Sequence, residues 1–177
     1  MKKVVKFGGS SLANAEQFQK VGDIIRSDES RRYVVPSAPG KRFSADTKVT
    51  DLLYTCYGKA EAGEDFTDVL TEIKGRFYEI IKGLNLDLSL EEEFRQIEAD
   101  FKAHAGNEYA ASRGEFLNGK VMAAYLGYEF IDSATVIRFD KNGNFDADKT
   151  DKLLSKRLQK CERAVVPGFY GGMEDGT

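Results

Sequence analysis

The chain has 177 residues, 41% of them hydrophobic and 31% charged, with a formal net charge of −3; that length is of the order of one domain. Without a basic excess there is nothing to neutralise a phosphate backbone, which argues against nucleic acid as a partner. No run approaches the ~18 apolar residues that span a bilayer, and the opening MKKVVKFGG is too short and too charged for the core of a signal peptide, so no membrane role is expected. Cys56 and Cys161 stand far apart without metal or redox spacing and read as reduced thiols of a cytoplasmic protein.

In chain order, Lys3 to Phe7 is a short β-branched apolar run that reads as a buried strand. Asn14 with Gln17 three residues on fits a capping box. Phe18, Val21, Ile24 and Ile25 follow at helical spacing, and Tyr33 to Val35 reads as a second strand. A β-α-β order implies a parallel pair with a right-handed crossover. Residues 38–49, polar and rich in turn formers, predict a loop; Lys41, Arg42 and Lys48 within it could cover a phosphate, but a solvated loop is the simpler reading.

Thr50 is placed to cap a helix carrying Leu52, Leu53, Cys56 and Tyr57. Phe66, Leu70, Ile73, Phe77, Ile80 and Leu84 then keep to one helical face. Ser89 with Glu92 marks another start ahead of Leu90, Phe94, Ile97 and Phe101. Residues 65–104 thus read as a helical hairpin inserted into an α/β unit. A helix from about Glu108 to Leu126, strands at Tyr128–Ile131 and Thr135–Phe139, a helix over 149–159 and a strand in RAVVPGFYGG complete the pattern. The predicted class is α/β, an open and mainly parallel sheet of about five strands between helical layers. GFYGGMEDGT stops in mid-turn with one sheet edge unfinished, so a longer chain and self-association are expected.

The chemistry concentrates in KFGGSS. A strand ends at Lys6, Gly8 and Gly9 let backbone amides come close to a ligand, and a helix start behind them favours negative charge, with the Lys6 ammonium at the same corner. The spacing is neither a P-loop nor a dinucleotide fingerprint. A tight strand-to-helix turn with Lys6 reaching to water is the competing structural account. Ser37 follows the second strand at the carboxyl edge, where open α/β sheets bind ligands. Glu115, in SRGE, could accept bonds from a substrate ammonium or simply partner Ser112 in a capping box. Asp140, Asn142, Asn144 and Asp146 alternate like a calcium loop, but Phe145 stands where glycine is needed and Asp151 where glutamate is, so an ordinary turn is expected. His104 reads as a surface residue at a helix end.

VVKFGGSSLAN resembles the signature that opens aspartate kinases, of the amino acid kinase family. VVPSAPGK with VTDLL, SRGEFLNGKVMAAYL and VVPGFYGG follow in that family's order and together cover essentially the whole chain. The resemblance implies the family's three-layer αβα fold. It implies transfer of the ATP γ-phosphoryl to the side-chain carboxylate of L-aspartate, with Mg²⁺ carried by the nucleotide. By matching position, Lys6, Gly8, Gly9 and Ser10 would meet the phosphates, while Ser37, Thr50, Glu115 and Phe169 would surround aspartate. Family members continue into an R-G-G-S-D segment, a nucleotide-binding lobe and regulatory domains, so little or no turnover is expected of these 177 residues alone. The alternatives are a non-catalytic anion-binding module and a related carboxylate kinase such as acetylglutamate kinase.

Overall fold

The computed structural model describes residues 1–177. Strand β1 spans Lys3–Phe7, helix α1 Ala15–Arg26, β2 Arg31–Pro36, and helices α2 to α5 Val49–Glu61, Thr67–Gly83, Glu91–Lys102 and Asn107–Leu126. The two-residue β3 is Glu129–Phe130; α6 (Ser133–Val136), α7 (Ala147–Leu158) and the two-residue β4 (Ala164–Val165) follow. All pairings are parallel and the order is β1-β2-β4-β3, with Phe7 beside Pro36 and Val34 beside Val165. The carboxyl ends of β1, β2 and β4 therefore share one edge.

Neighbouring strand residues point to opposite faces, and the two cores divide accordingly. Val34 and Val165 belong to a cluster of 28 buried residues that takes in the apolar faces of α1 to α5. Tyr33 and Ala164 face the other way, into a cluster of five against α6 and α7. This is a helix–sheet–helix arrangement, as expected from the sequence. The 65–104 segment forms two helices, α3 and α4, but they do not pair along their length as a hairpin: both pack on α2, α4 also on α5, and they meet each other through Phe77, Tyr78 and Phe94.

Several local expectations are corrected. The sheet has four strands, because Thr135–Phe139 is not one: the Asp132 carboxylate accepts from the Ala134 amide and the Ser133 hydroxyl donates to the Pro167 carbonyl, winding Ser133–Val136 into α6, while Arg138 and Phe139 make only isolated bridges. Tyr128–Ile131 contributes only Glu129 and Phe130. Asn14 caps the Gln17 amide as predicted, but Ile24 is exposed and only Ile25 faces the core. Thr50 is not a cap, since α2 begins at Val49 with no side-chain cap and Thr50 sits inside its first turn. Ser89 accepts from the Glu91 amide rather than forming a box with Glu92.

Candidate phosphate and substrate corner

At the end of β1 the chain turns through Gly8 into a single 3₁₀ turn, Gly9–Leu12, whose first internal bond runs from the Ser11 amide to the Gly8 carbonyl. The Gly9 and Ser10 amides precede that bond and are left for an outside acceptor. The expected α-helix start behind the glycines is displaced: α1 begins at Ala15 and its end is capped by Asn14. The donors left free at this corner are therefore the amides of a short turn. A Cβ on Gly8 would meet nothing within 4 Å, so that side of the turn is open. Lys6 is exposed, and none of the molecule's ion pairs uses it.

The segment after β2 forms the opposite wall. Ser37 donates its amide to the Phe7 carbonyl at 3.0 Å, and Gly40 donates to the Gly9 carbonyl at 2.8 Å. A side chain at Gly40 would put its Cβ 2.6 Å from the Gly9 carbonyl carbon, so only glycine lets the two turns meet. The Val49 amide donates to the Pro39 carbonyl at 3.2 Å, which brings the first turn of α2, with half-buried Thr50, to the same place.

Helix α5 closes the corner from behind. Gly114 allows it to lie against Ala38, since a Cβ there would stand 2.7 Å from the Ala38 Cβ. Glu115, 7% exposed, has a buried Oε2 without a partner. Burial pushes its carboxyl above the ordinary range, while the Ala38 amide and the charge of Lys6 pull it back. Ser112 does not cap: it lies inside α5, its hydroxyl donating to the Tyr109 carbonyl at 2.6 Å. Asn118 is fully buried and donates through Nδ2 to the Ser37 carbonyl at 2.6 Å. Sequence reading missed Asn118, although it follows Glu115 by three residues and so shares its helix face.

Lys6, Gly8, Gly9, Ser10, Ser37, Thr50 and Glu115 are thus gathered around the 37–40 turn. Phe169 lies further out beyond β4, tied to that edge by the Gly168 amide on the Pro36 carbonyl at 3.1 Å. It is no core residue, being 72% exposed, and its φ of +77° is in the left-handed region that an aromatic residue rarely adopts. Phe169 lines a cleft of about 780 Å³ with Tyr54, Tyr109, Arg113 and Tyr170. That cleft includes none of the other predicted residues. We place the site at the glycine corner because the free amides, the open ammonium and the unpaired buried carboxylate meet there.

Most of residues 41–48 are exposed, Lys41 and Lys48 among them, as the solvated-loop reading expects, but the loop is anchored from inside. Asp46 is buried, holding Arg42 through its side chain at 2.9 and 3.0 Å, and Arg42 reaches Glu79 on α3 at 2.9 Å. The suspected calcium loop is a turn, with the Asp140 carboxylate accepting from the Asn142 and Asn144 amides. His104 is exposed at the end of α4 with φ +59°, its amide on the Phe101 carbonyl.

Residues 1–177 match the family described as the amino acid kinase family. The chain belongs to this family. Among its relatives in the family, aspartokinase 3 of Bacillus subtilis is 35% identical over 189 residues, covering 98% of the chain and 41% of that protein. Aspartokinase 1 of Arabidopsis thaliana chloroplasts is 32% identical over 194 residues, or 95% of the chain and 33% of that protein. The crystal structure of Clostridium acetobutylicum aspartate kinase superposes with a TM-score of 0.95 at 47% identity, over 99% of the chain and 41% of the other. The chain thus spans between a third and about two fifths of these aspartate kinases.

Proposed function

We propose that this chain carries the phosphate-binding and aspartate-binding corner of an aspartate kinase, which transfers the ATP γ-phosphoryl to the side-chain carboxylate of L-aspartate and gives 4-phospho-L-aspartate, the entry to lysine, threonine and methionine. The observation that carries the reading is Glu115, a carboxylate all but removed from water with one oxygen unpaired. Leaving a buried charge unpaired is costly, and a substrate ammonium would satisfy it. In support, E. coli aspartokinase III, which shares the fold, was crystallised with aspartate and ADP.

Phosphoryl transfer needs two anions held in line and their repulsion offset. Lys6 supplies an unpaired positive charge, and the Gly9 and Ser10 amides offer donors to phosphoryl oxygens across the open side of Gly8. Ser37 and Thr50, at the two ends of the loop, would meet the substrate's carboxylates. The attacking carboxylate is ionised at neutral pH, so no side chain has to act as base, and Lys6 would offset its repulsion from the phosphoryl group. Magnesium would arrive with the nucleotide; no cluster of three or more His, Cys, Asp or Glu side chains is placed to hold it. The chain covers 41% of its Bacillus relative, and the test is binding.

Calorimetric titration with L-aspartate is expected to show binding that Glu115→Gln weakens by about tenfold or more, the value of one charge-assisted hydrogen bond. Equal binding by the variant would overturn the assignment of Glu115. Preference for N-acetylglutamate would identify a different carboxylate kinase. Phosphate binding alone, indifferent to the substitution, would leave a general anion site.

A further inference from the structure

Arg76 is buried deep in α3, 3% exposed, on a helix that supplies none of the residues at the corner. Its guanidinium does not face solvent. Nη2 donates to the Gly40 carbonyl at 2.7 Å, Nη1 donates to the Thr47 carbonyl at 2.8 Å, and Nη1 also lies 3.2 Å from the buried Asp46 carboxylate. One planar group thus joins the two ends of the 40–47 segment, a geometry that the arginine fork permits and the lysine point charge does not.

What it joins is what makes the corner. Gly40, held through its carbonyl by Arg76, gives its amide to the Gly9 carbonyl at 2.8 Å. Thr47, held on the other arm, immediately precedes the Lys48–Val49 step into α2, whose Val49 amide donates to Pro39. The Gly9–Ser10 turn and the start of α2 are therefore both registered against a segment whose curvature one side chain sets. Asp46 completes the fixture by gripping Arg42, which α3 holds again through Glu79.

We propose that Arg76 is a positioning residue for anion binding: acting through Gly40, it holds the Gly9 and Ser10 amides in the geometry that receives a phosphoryl group, without touching the ligand. This rests on reading the glycine corner as an anion site. Removing the fork would leave the buried Gly40 carbonyl unpaired and release the Thr47 carbonyl, and the segment would relax away from the Gly9 turn rather than remain in place.

The test uses the full chain, titrated with inorganic phosphate while the Gly9 and Ser10 amides are followed by nuclear magnetic resonance. Arg76→Gln is expected to weaken phosphate binding by about tenfold and to speed hydrogen exchange at the Gly40 amide. Arg76→Lys, which can keep one of the two carbonyl bonds, should recover part of both. Val136→Ala, on the opposite face of the sheet, serves as a control that lowers stability without touching the segment and should bind as the parent does. Should Arg76→Gln fail to fold, Asp46→Asn with Arg76→Lys carries the comparison. Parent-like phosphate affinity in folded Arg76 or Asp46 variants overturns the positioning role alone. Losses in Val136→Ala as large as in Arg76→Lys would reduce Arg76 to general stability, which also overturns it. Failure of the parent chain to shift at Gly9 or Ser10 would instead remove the anion site, and the inference with it.

Discussion

The two faces of the sheet are built unequally. On one, α1 to α5 bury 28 residues in a continuous core that includes Phe18, Tyr57, Phe77, Phe94 and Phe101; on the other, α6 and α7 cover β4 and β3 with a core of five. Towards β1 this second cover gives out, and Val4 is left 66% exposed. The candidate site lies where the thick side meets the strand ends. Its supports, Gly114, Glu115 and Asn118 on α5 and Arg76 on α3, all come from that side. A deep core provides stiff helices, and stiff helices can hold buried polar groups against loops without their being satisfied by water.

The sharpest way to break this comparison is to open the thick core. Phe101 is fully buried among Tyr57, Phe66 and Tyr109. Phe101→Ala is expected to cost about 3–5 kcal/mol in chemical denaturation, the range for aromatic truncation in a packed core. A loss below ~1 kcal/mol would show that the helices repack freely and that this face is not the stiff support claimed for it.

A smaller effect is expected where α5 presses on the loop. Gly114→Ala gains about 1 kcal/mol in helix propensity, but its Cβ would stand 2.7 Å from the Ala38 Cβ, and such overpacking costs about 1–3 kcal/mol. The clash should win by about 1 kcal/mol, and aspartate binding should fall with it because Ala38 and Glu115 move apart. Stabilisation by the substitution would show that the contact between α5 and the loop is loose.

These two sites also show what local sequence can and cannot carry. Lys3–Phe7 as a strand, Asn14 as a cap and the Phe94–Ile97–Phe101 stripe depend on neighbours within a few residues, and periodicity discloses them. The corner residues Lys6, Gly8 and Gly9 were legible for the same reason. Arg76 and Asn118 were not, because their partners are main-chain carbonyls 29, 36 and 81 residues away, and no pattern marks a carbonyl as needing a donor. Thr135–Phe139 misled for a related reason: its β-branched run was overridden by the bond from Ser133 to Pro167, 34 residues on.

Glu115 offers a subtler contrast, through pH. Its carboxyl is raised in the folded protein by burial, so between the ordinary carboxylate range and its folded value the native state binds more protons than the unfolded one. Stability should therefore fall as pH rises through that window. Asp46, held low chiefly by its bonds to Arg42, works in reverse: its contribution is present above the ordinary carboxylate range and is lost as pH falls. Melting temperature followed across pH should show the downward limb above the ordinary carboxylate range flattened in Glu115→Gln, while the loss at acid pH persists. An unchanged limb would mean that Glu115 is solvated, and the case for an ammonium ligand would weaken accordingly.

The smallest effect belongs to the thin face, at Val4. With two thirds of its surface in water, the side chain has little transfer energy to lose, and Val4→Thr should change stability by no more than about 0.5 kcal/mol, the usual scale of surface substitutions. The replacement keeps the β-branch, so strand propensity stays nearly constant and burial is the only variable. A loss above ~1 kcal/mol would mean that this part of the sheet is covered in solution, by another chain or by a second copy, since apolar area must leave water for its removal to cost that much. In that case the two faces would differ less in depth than in what supplies their cover, and a protein-concentration dependence of the melting temperature would reveal it.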